Sequence, residues 1–241
     1  MSGHNKWSSI KHKKGKADAA RGRIFSRLVK EITVAARDGG GDPDMNPRLR
    51  VAIENAKNQN MPNDNIDRAI KRGTGELEGV EYEEITYEAY GPGGVAILIE
   101  ALTDNRNRAA AEIRHIVSKG GGNLGSRNSV AYMFRTVGQI MIDGERFDED
   151  TVLEAALEAG ADDVIVESDS IIVTTDPSDL YEVKQGLEQS GVAVDNAEVT
   201  KVPDTTMQLS SDDSEKALKL LHQLEEHDDV QDVHTNLELS E

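Results

Sequence analysis

The chain has 241 residues, 37% of them hydrophobic, 30% charged and 4% aromatic, with no cysteine and a formal net charge of −18 at pH 7. That length suits two or three domains whose cores rest on Ala, Val, Ile and Leu, and the composition argues against disorder throughout. The missing cysteine excludes disulfides, Cys-ligated zinc, iron–sulfur clusters and a thiol nucleophile and fits a reducing cytoplasm, while apolar runs such as 94–99 are too short to span a bilayer.

Residues 1–22 carry Lys6, Lys11, Lys13, Lys14, Lys16 and Arg21 beside Trp7 and His12, with little apolar periodicity, and read as a basic arm. From Arg23 a helix is predicted, because Ile24, Phe25, Leu28, Val29 and Ile32 recur at helical spacing up to Gly39-Gly40-Gly41. Asn46 before Pro47 predicts an N-cap and a first helical residue, with Leu49, Ala52, Ile53 and Ala56 facing inward. Met61-Pro62 interrupts, and a third helix from about Asp64 to Arg72 turns Ile66, Ala69 and Ile70 inward, with Gly73 expected as its C-terminal cap. Residues 1–78 are thus expected to form a helical domain with a basic surface.

After Gly79 the period changes. Strands are predicted at 85–90 and 95–102, joined by the turn Gly91-Pro92-Gly93-Gly94, followed by a helix at about 107–118, a glycine-rich loop at 120–125 and a strand at 130–134. Beyond it lie a strand (138–142), a helix (149–159), strands at 163–167 and 170–174, a helix (177–190) and a strand (192–202). That order, βαββαβ, is the ferredoxin-like sandwich. A strand (205–209), a helix (212–226) and a strand (230–237) end the chain. The 79–135 piece lacks a helix and a strand that 204–241 can supply. The expectation is therefore an α+β protein of three domains: 1–78 helical, 79–135 with 204–241 a discontinuous α/β domain, and 136–203 an inserted ferredoxin-like domain. The last holds 3 basic and 17 acidic residues.

Few residues group for chemistry. His4 and His12 lie in the arm, His115 on a helix, and His222, His227 and His234 near the end without a triad-like partner set. His222 and His227 are not at the i, i+4 spacing of helical metal ligands, no HExxH occurs, and neither glycine-rich stretch matches a phosphate-binding loop. Carboxylates at Asp148, Asp176 and Asp212-Asp213 are expected as helix caps. No catalytic residue, metal, cofactor or small-molecule substrate is expected, and an enzyme is the least favoured class.

Nucleic acid fits better. Residues 1–72 hold 16 basic and 8 acidic residues, whereas 73–241 hold 11 and 37. A polyanion would attract the first segment and repel the rest, orienting the molecule, although acidic surface alone also confers solubility. The candidate contacts are Lys6, Lys11, His12, Lys13, Lys14, Lys16, Arg21 and Arg23, with Trp7 available to stack on an unpaired base. Lys57, Arg68, Lys71 and Arg72, among asparagines, extend that surface, and Arg106, Arg108 and Arg127 are a second, weaker contact. Helix-start arginines also have Asp104 to pair with. An interaction protein whose acidic domains bind a protein partner is the rival reading.

Gly3-His4-Asn5-Lys6-Trp7 with Ile10-Lys11-His12-Lys13, Arg21-Gly22-Arg23-Ile24-Phe25 and Asn46-Pro47-Arg48-Leu49-Arg50 together resemble the YebC family. So do Asn60-Met61-Pro62-Asn63-Asp64-Asn65-Ile66, Tyr90-Gly91-Pro92-Gly93-Gly94 and Ala101-Leu102-Thr103-Asp104-Asn105-Arg106-Asn107-Arg108. The resemblance spans nearly the whole chain and is densest up to about residue 135. Asn128 stands where glycine is expected, and Asp232 and His234 where asparagine and an aromatic are expected. The resemblance implies three domains with the second discontinuous, and a cytoplasmic bacterial regulator of gene expression. It implies DNA-binding transcriptional control, or, by likeness to mitochondrial relatives, translational activation at the ribosome through ribosomal RNA. Neither a helix-turn-helix nor a dimerisation heptad is evident in the sequence.

Overall fold

The computed structural model describes residues 18–167 and 170–239. Helices α1 (Asp18–Gly39), α2 (Pro47–Asn58) and α3 (Asn63–Gly73) form the first unit around Ile32, Ala35, Ala36, Leu49, Ala52, Ala56, Ile66 and Ala69. Helix α1 is already helical at Asp18, the first described residue and ahead of the expected start at Arg23, and takes in Ala19 and Ala20, which favour a helix even without an apolar stripe. The cap at Asn46 forms as expected: its Oδ1 accepts from Leu49 N–H at 3.1 Å. Its amide also donates to Ala35 O and Gly40 O, at 2.7 and 2.8 Å, so one buried side chain starts α2 and closes α1. The cap expected at Gly73 lies instead at Thr74. Gly73 serves packing, since a Cβ there would stand 2.3 Å from Thr33 O on α1.

The second unit starts with the antiparallel hairpin β1 (Glu83–Tyr90) and β2 (Ala96–Thr103), followed by α4 (Arg106–Lys119) and the two-residue strand β3 (Asn123–Leu124) inside the predicted glycine-rich loop. The next strand, β4 (Phe134–Asp143), is continuous and merges the predicted end of 130–134 with 138–142, while Ala131–Met133 is a 3-10 turn. The departure has a cause. The backbone N–H groups of Val130 and Ala131 donate to the Glu88 carboxylate at 2.7 and 2.8 Å rather than to a ladder.

Strand β4 opens a βαββαβ unit with α5 (Glu149–Ala159), β5 (Asp163–Glu167), β6 (Ser170–Thr175), α6 (Leu180–Gln189) and β7 (Asn196–Pro203). Its sheet order is β5-β6-β4-β7, with every neighbouring pair antiparallel, as in a ferredoxin-like sandwich. Helix α6 starts later than Pro177 because Asp176 Oδ1 takes the Ser178 N–H in a turn. Strand β7 starts later than Val192 because Gly191, at φ 86°, and the bond from Val192 N–H to Leu187 O stop the helix there. Asp148 caps α5 as expected, through Thr151 N–H at 3.0 Å.

The predicted strand at 205–209 shrinks to β8 (Met207–Gln208), which pairs in parallel with β10 (Leu237–Glu238). Between them run α7 (Ser211–Glu225), capped by Ser210 rather than by Asp212 or Asp213, and β9 (Val230–Thr235). Strand β9 pairs with β2, giving the sheet β3-β1-β2-β9. On one face, Ile97, Ile99 and Ala101 meet Ile113 and Val117 of α4 and Leu220, Leu221 and Leu224 of α7. The fold is therefore α+β: an N-terminal helical unit, an α/β unit built from two separated stretches, and a ferredoxin-like unit inserted between them.

Candidate nucleic-acid interface

Arg23, Arg27 and Lys30 lie at i, i+4 and i+7 on α1, a single face. All three end on the turn between α7 and β9. Arg23 Nη2 meets Glu226 Oε1 at 3.3 Å, and Arg27 donates to Glu225 O. Burial lowers the Arg27 pKa, with Glu225 and Asp232 acting against it. Lys30 Nζ meets Asp229 Oδ1 at 2.7 Å and donates to Asp228 O and Leu102 O. Asp229 joins several elements, because its Oδ2 also takes Thr103 Oγ1 and Arg108 Nη2, at 3.0 and 2.9 Å. Burial would raise its carboxyl, but the bonds from Lys30 and Arg108 prevail and hold it below the ordinary range.

This seam borders an open groove of about 1020 Å³ lined by Arg23, Lys30, Arg108, Asp104, Glu226 and Asp229, among others. Three cations there face more than three carboxylates, since Glu112 and Asp228 also line it. The groove is therefore no phosphate cradle. Arg23, predicted as a phosphate contact, sits in it as an ion-paired residue. Arg108 likewise pairs with Asp104, at 2.8 Å, as anticipated, and with Asp229.

The remaining candidates are more open. Lys57 lies in the last turn of α2, and Arg68, Lys71 and Arg72 lie at i, i+3 and i+4 on α3, all exposed. Arg68 is held only by neutral acceptors, Asp64 O at 3.0 Å and Asn65 Oδ1 at 2.6 Å. Arg106 and Arg127 are exposed. Lys6, Trp7, Lys11, His12, Lys13, Lys14 and Lys16 lie outside the described residues, and Arg21 is placed on α1 by its backbone.

Sequence reasoning missed Asp229 and Glu88. Glu88 is 7% exposed and accepts from three backbone N–H groups, those of Asn128, Val130 and Ala131, at 2.6, 2.7 and 2.8 Å. Burial pushes its carboxyl up, but those bonds outweigh it and hold the group low. Asn128 sits at φ 63°, the left-handed conformation that its replacement of glycine requires. The one signal in the sequence is an acid amid an alternating strand, Ile85 to Tyr90, which periodicity alone assigns to solvent.

Among the described residues one His-and-carboxylate group is compact: Glu100, Asp232 and His234, with donor atoms within 4.8 Å of one another. Strand register explains it, since Asp232 lies opposite Glu100 on β2 and His234 shares its face two residues on. Lys201 of β7 places its ammonium on Glu100, so a cation already serves this group. Among the described residues no helix is long and apolar enough to cross a membrane.

Two family models match the chain. Residues 5–76 match the TACO1/YebC protein N-terminal domain, and residues 82–237 the TACO1/YebC second and third domain. Curated relatives named "Probable transcriptional regulatory protein" include one from Persephonella marina, 54% identical over 100% of this chain and 97% of its own length. Another, from Desulfatibacillum aliphaticivorans, is 57% identical over 99% of this chain and 97% of its own. The crystal structure of a conserved hypothetical protein from Aquifex aeolicus superposes with a TM-score of 0.89 at 51% identity, covering 96% of each chain.

Proposed function

The chain belongs to the TACO1/YebC family, and from that premise we propose that it is a cytoplasmic nucleic-acid-binding regulator of gene expression that recognises its partner by charge and shape and performs no chemistry on it. One observation carries the reading: 16 basic against 8 acidic residues up to residue 72, and 11 against 37 beyond it. Phosphates attract the first segment through counterion release and repel the remainder, so the molecule docks in one orientation. The arm residues Lys6, Lys11, Lys13, Lys14, Lys16 and Arg21, with Trp7 and His12, make that contact, and Lys57, Arg68, Lys71 and Arg72 extend it. Residues 1–78, 79–135 with 204–241, and 136–203 act as three bodies, the last and most acidic turned away from the polyanion or toward a protein partner.

The name of the relatives supports transcription as the first reading, for which duplex DNA would be the partner. A further feature agrees: α2 and α3 are joined by four residues, Gln59 to Pro62, with Asn60 at φ 59°, and the exposed cations sit on the second helix. Cations so exposed can meet the phosphates of a duplex. Ribosomal RNA and translation are the second reading, favoured by Trp7 amid the arm lysines, an aromatic suited to unpaired bases. Co-sedimentation of tagged protein from lysate at physiological salt, with DNase or RNase, separates them. Recovery only in DNase-sensitive material supports transcription. Migration with ribosomal particles that survives DNase makes it a translation factor, and migration with neither overturns the nucleic-acid reading.

A further inference from the structure

Residues 113–142 contain Arg114, His115, Lys119, Arg127 and Arg135 and not one Asp or Glu, inside a stretch (73–241) that holds 37 acidic residues against 11 basic. A thirty-residue gap in so acidic a sequence is a stretch of chain that brings cations to the surface and no acid of its own. The fold concentrates it. Gly122 approaches β1 so closely that a Cβ would stand 2.4 Å from Tyr90 O, and β3 then pairs with Tyr90 and Ala89. Gly125 N–H donates to Glu88 O at 2.7 Å, and Tyr90 Oη donates to Ser129 O at 2.8 Å.

The Glu88 carboxylate then gathers the N–H groups of Asn128, Val130 and Ala131. Residues 128–131 are thereby wrapped around a single side chain, and the carboxylate's charge is turned inward and satisfied. Immediately outside the wrapped stretch, on either side, stand Arg127 and Tyr132. Both are exposed, and Tyr132 is 74% exposed, more than any other aromatic side chain among the described residues. Lys119, Arg114 and His115 are exposed on the adjoining α4. Arg135 carries a solvent-exposed pair with Asp204 at 3.5 Å, which a phosphate can replace.

We propose that the loop from Gly125 to Met133 is a second nucleic-acid site, taking an unpaired nucleotide whose base stacks on Tyr132 and whose phosphate meets Arg127. It rests on the nucleic-acid reading above, keeps Arg127 from the second contact that charge alone suggests, and uses none of the arm or α3 residues. An exposed cation and an exposed aromatic ring at the two ends of one fixed loop fit a single strand better than a duplex, whose bases offer no free face. The backbone bonds to Glu88 fix the loop before binding, so little ordering entropy is lost on contact.

The test uses the full chain with three fluorescent probes: single-stranded oligouridine, single-stranded oligothymidine and a duplex DNA of the same length, titrated at two salt concentrations. Tyr132→Ala is expected to weaken single-strand binding by about tenfold or more, the range for loss of one stacked base, and to leave duplex binding unchanged. Tyr132→Phe keeps the ring and is expected to restore binding. Arg127→Gln is expected to lower the salt slope by about 0.7 for a single strand. Stronger binding of uridine or of thymidine identifies RNA or DNA as the source of the nucleotide.

Lys11→Glu/Lys13→Glu/Lys14→Glu tests the arm separately. If it abolishes binding while Tyr132→Ala stays within twofold of wild type, the loop site is wrong and the arm reading stands. If Tyr132→Ala weakens the single strand and the arm variant does not, the loop site stands without the arm. Failure of the wild-type protein to bind any of the probes overturns both. Tyr132 is exposed enough that Tyr132→Ala should leave the thermal melt unchanged, which keeps the comparison free of misfolding.

Discussion

On α1, Arg23, Arg27 and Lys30 share one face and all three end on the α7–β9 turn, whereas on α3 Arg68, Lys71 and Arg72 share one face and end in solvent. The residue types are alike, each set lies on one side of its helix, and both helices belong to one small bundle. What differs is the neighbour. Helix α1 lies against Glu225, Glu226 and Asp229, so its cations act as glue between the basic unit and the acidic one. The cations of α3 meet no such acidic turn and stay open to a phosphate. A basic stripe in an electrically divided protein is therefore either docked on acidic neighbours or left exposed, and only the fold tells the two apart.

The sharpest way to break the α1 side is Asp229→Ala. It leaves Lys30, whose side chain is 12% exposed, without its carboxylate, and removing one member of a buried pair typically costs about 3–5 kcal/mol. Denaturant unfolding should show a loss of that order. Lys30→Met combined with Asp229→Leu should recover much of it, because an apolar pair leaves no buried charge uncompensated. The same carboxylate sets an acid limit. Asp229 titrates below its unfolded value, so its contribution is present above about pH 4 and is lost as pH falls through the lower folded value. Glu88, also depressed, adds a second loss in the same direction. Melts between pH 3 and pH 6 should show this, and an Asp229→Asn protein should lose less on acidification than wild type.

The α3 side breaks through packing. Gly73 lets α3 approach α1, where a Cβ would lie 2.3 Å from Thr33 O and 2.8 Å from Ala36 Cβ. Backbone oxygen cannot give way as a side-chain tip can, so Gly73→Ala should cost about 1–3 kcal/mol, the usual range for overpacking. It should also tilt the basic face of α3 and weaken nucleic-acid binding alongside stability. A melt unchanged from wild type would mean that the two helices tolerate separation and that the face is not held as described.

These cases also mark how far the sequence is legible. Apolar periodicity locates all three helices of the first unit, the hairpin and the βαββαβ order, because burial imposes a period on every buried face. It misplaces ends wherever a polar side chain or a glycine decides the matter: Glu88 delays a strand from Val130 to Phe134, Asp176 delays a helix, and Gly191 delays a strand. The candidate cations are legible as a set, from charge alone. Their division into docked and open is not, because it depends on Glu225, Glu226 and Asp229, some two hundred residues away. Asp229 and Glu88 are unreadable for the same reason: a carboxylate that will be buried beneath cations or amides looks, in a strand or a turn, like one meant for water.

Arg23→Ala should lower stability by less than about 1 kcal/mol, because an ion pair with both side chains about a third or more exposed is weak. Its use is as a discriminator. Charge alone assigns Arg23 to the phosphate-binding surface, whereas the fold pairs it with Glu226, and the two roles predict different salt behaviour. If it only glues, nucleic-acid affinity at low and high salt should match wild type. If the pair opens to meet a phosphate, the salt slope should fall by about one.

Replacing Arg68, Lys71 and Arg72 together by Gln should have the smallest effect on stability, within about 0.5 kcal/mol, since none of the three is buried and Gln is nearly as good a helix former. It should nonetheless change binding clearly. Removing one cation that neutralises a phosphate lowers the slope of log affinity against log salt by about 0.9 on duplex DNA and about 0.7 on a single strand. Three such cations thus give a drop of about 2.7 on a duplex, far outside fitting error. That number distinguishes the partners as well as testing the face, because a recognition helix lying in a major groove should lose sequence preference together with slope, whereas a helix resting on phosphates should lose slope alone. Unchanged slopes on duplex and single strand alike would place the docking surface off α3 and leave that helix as a solvated face of the bundle.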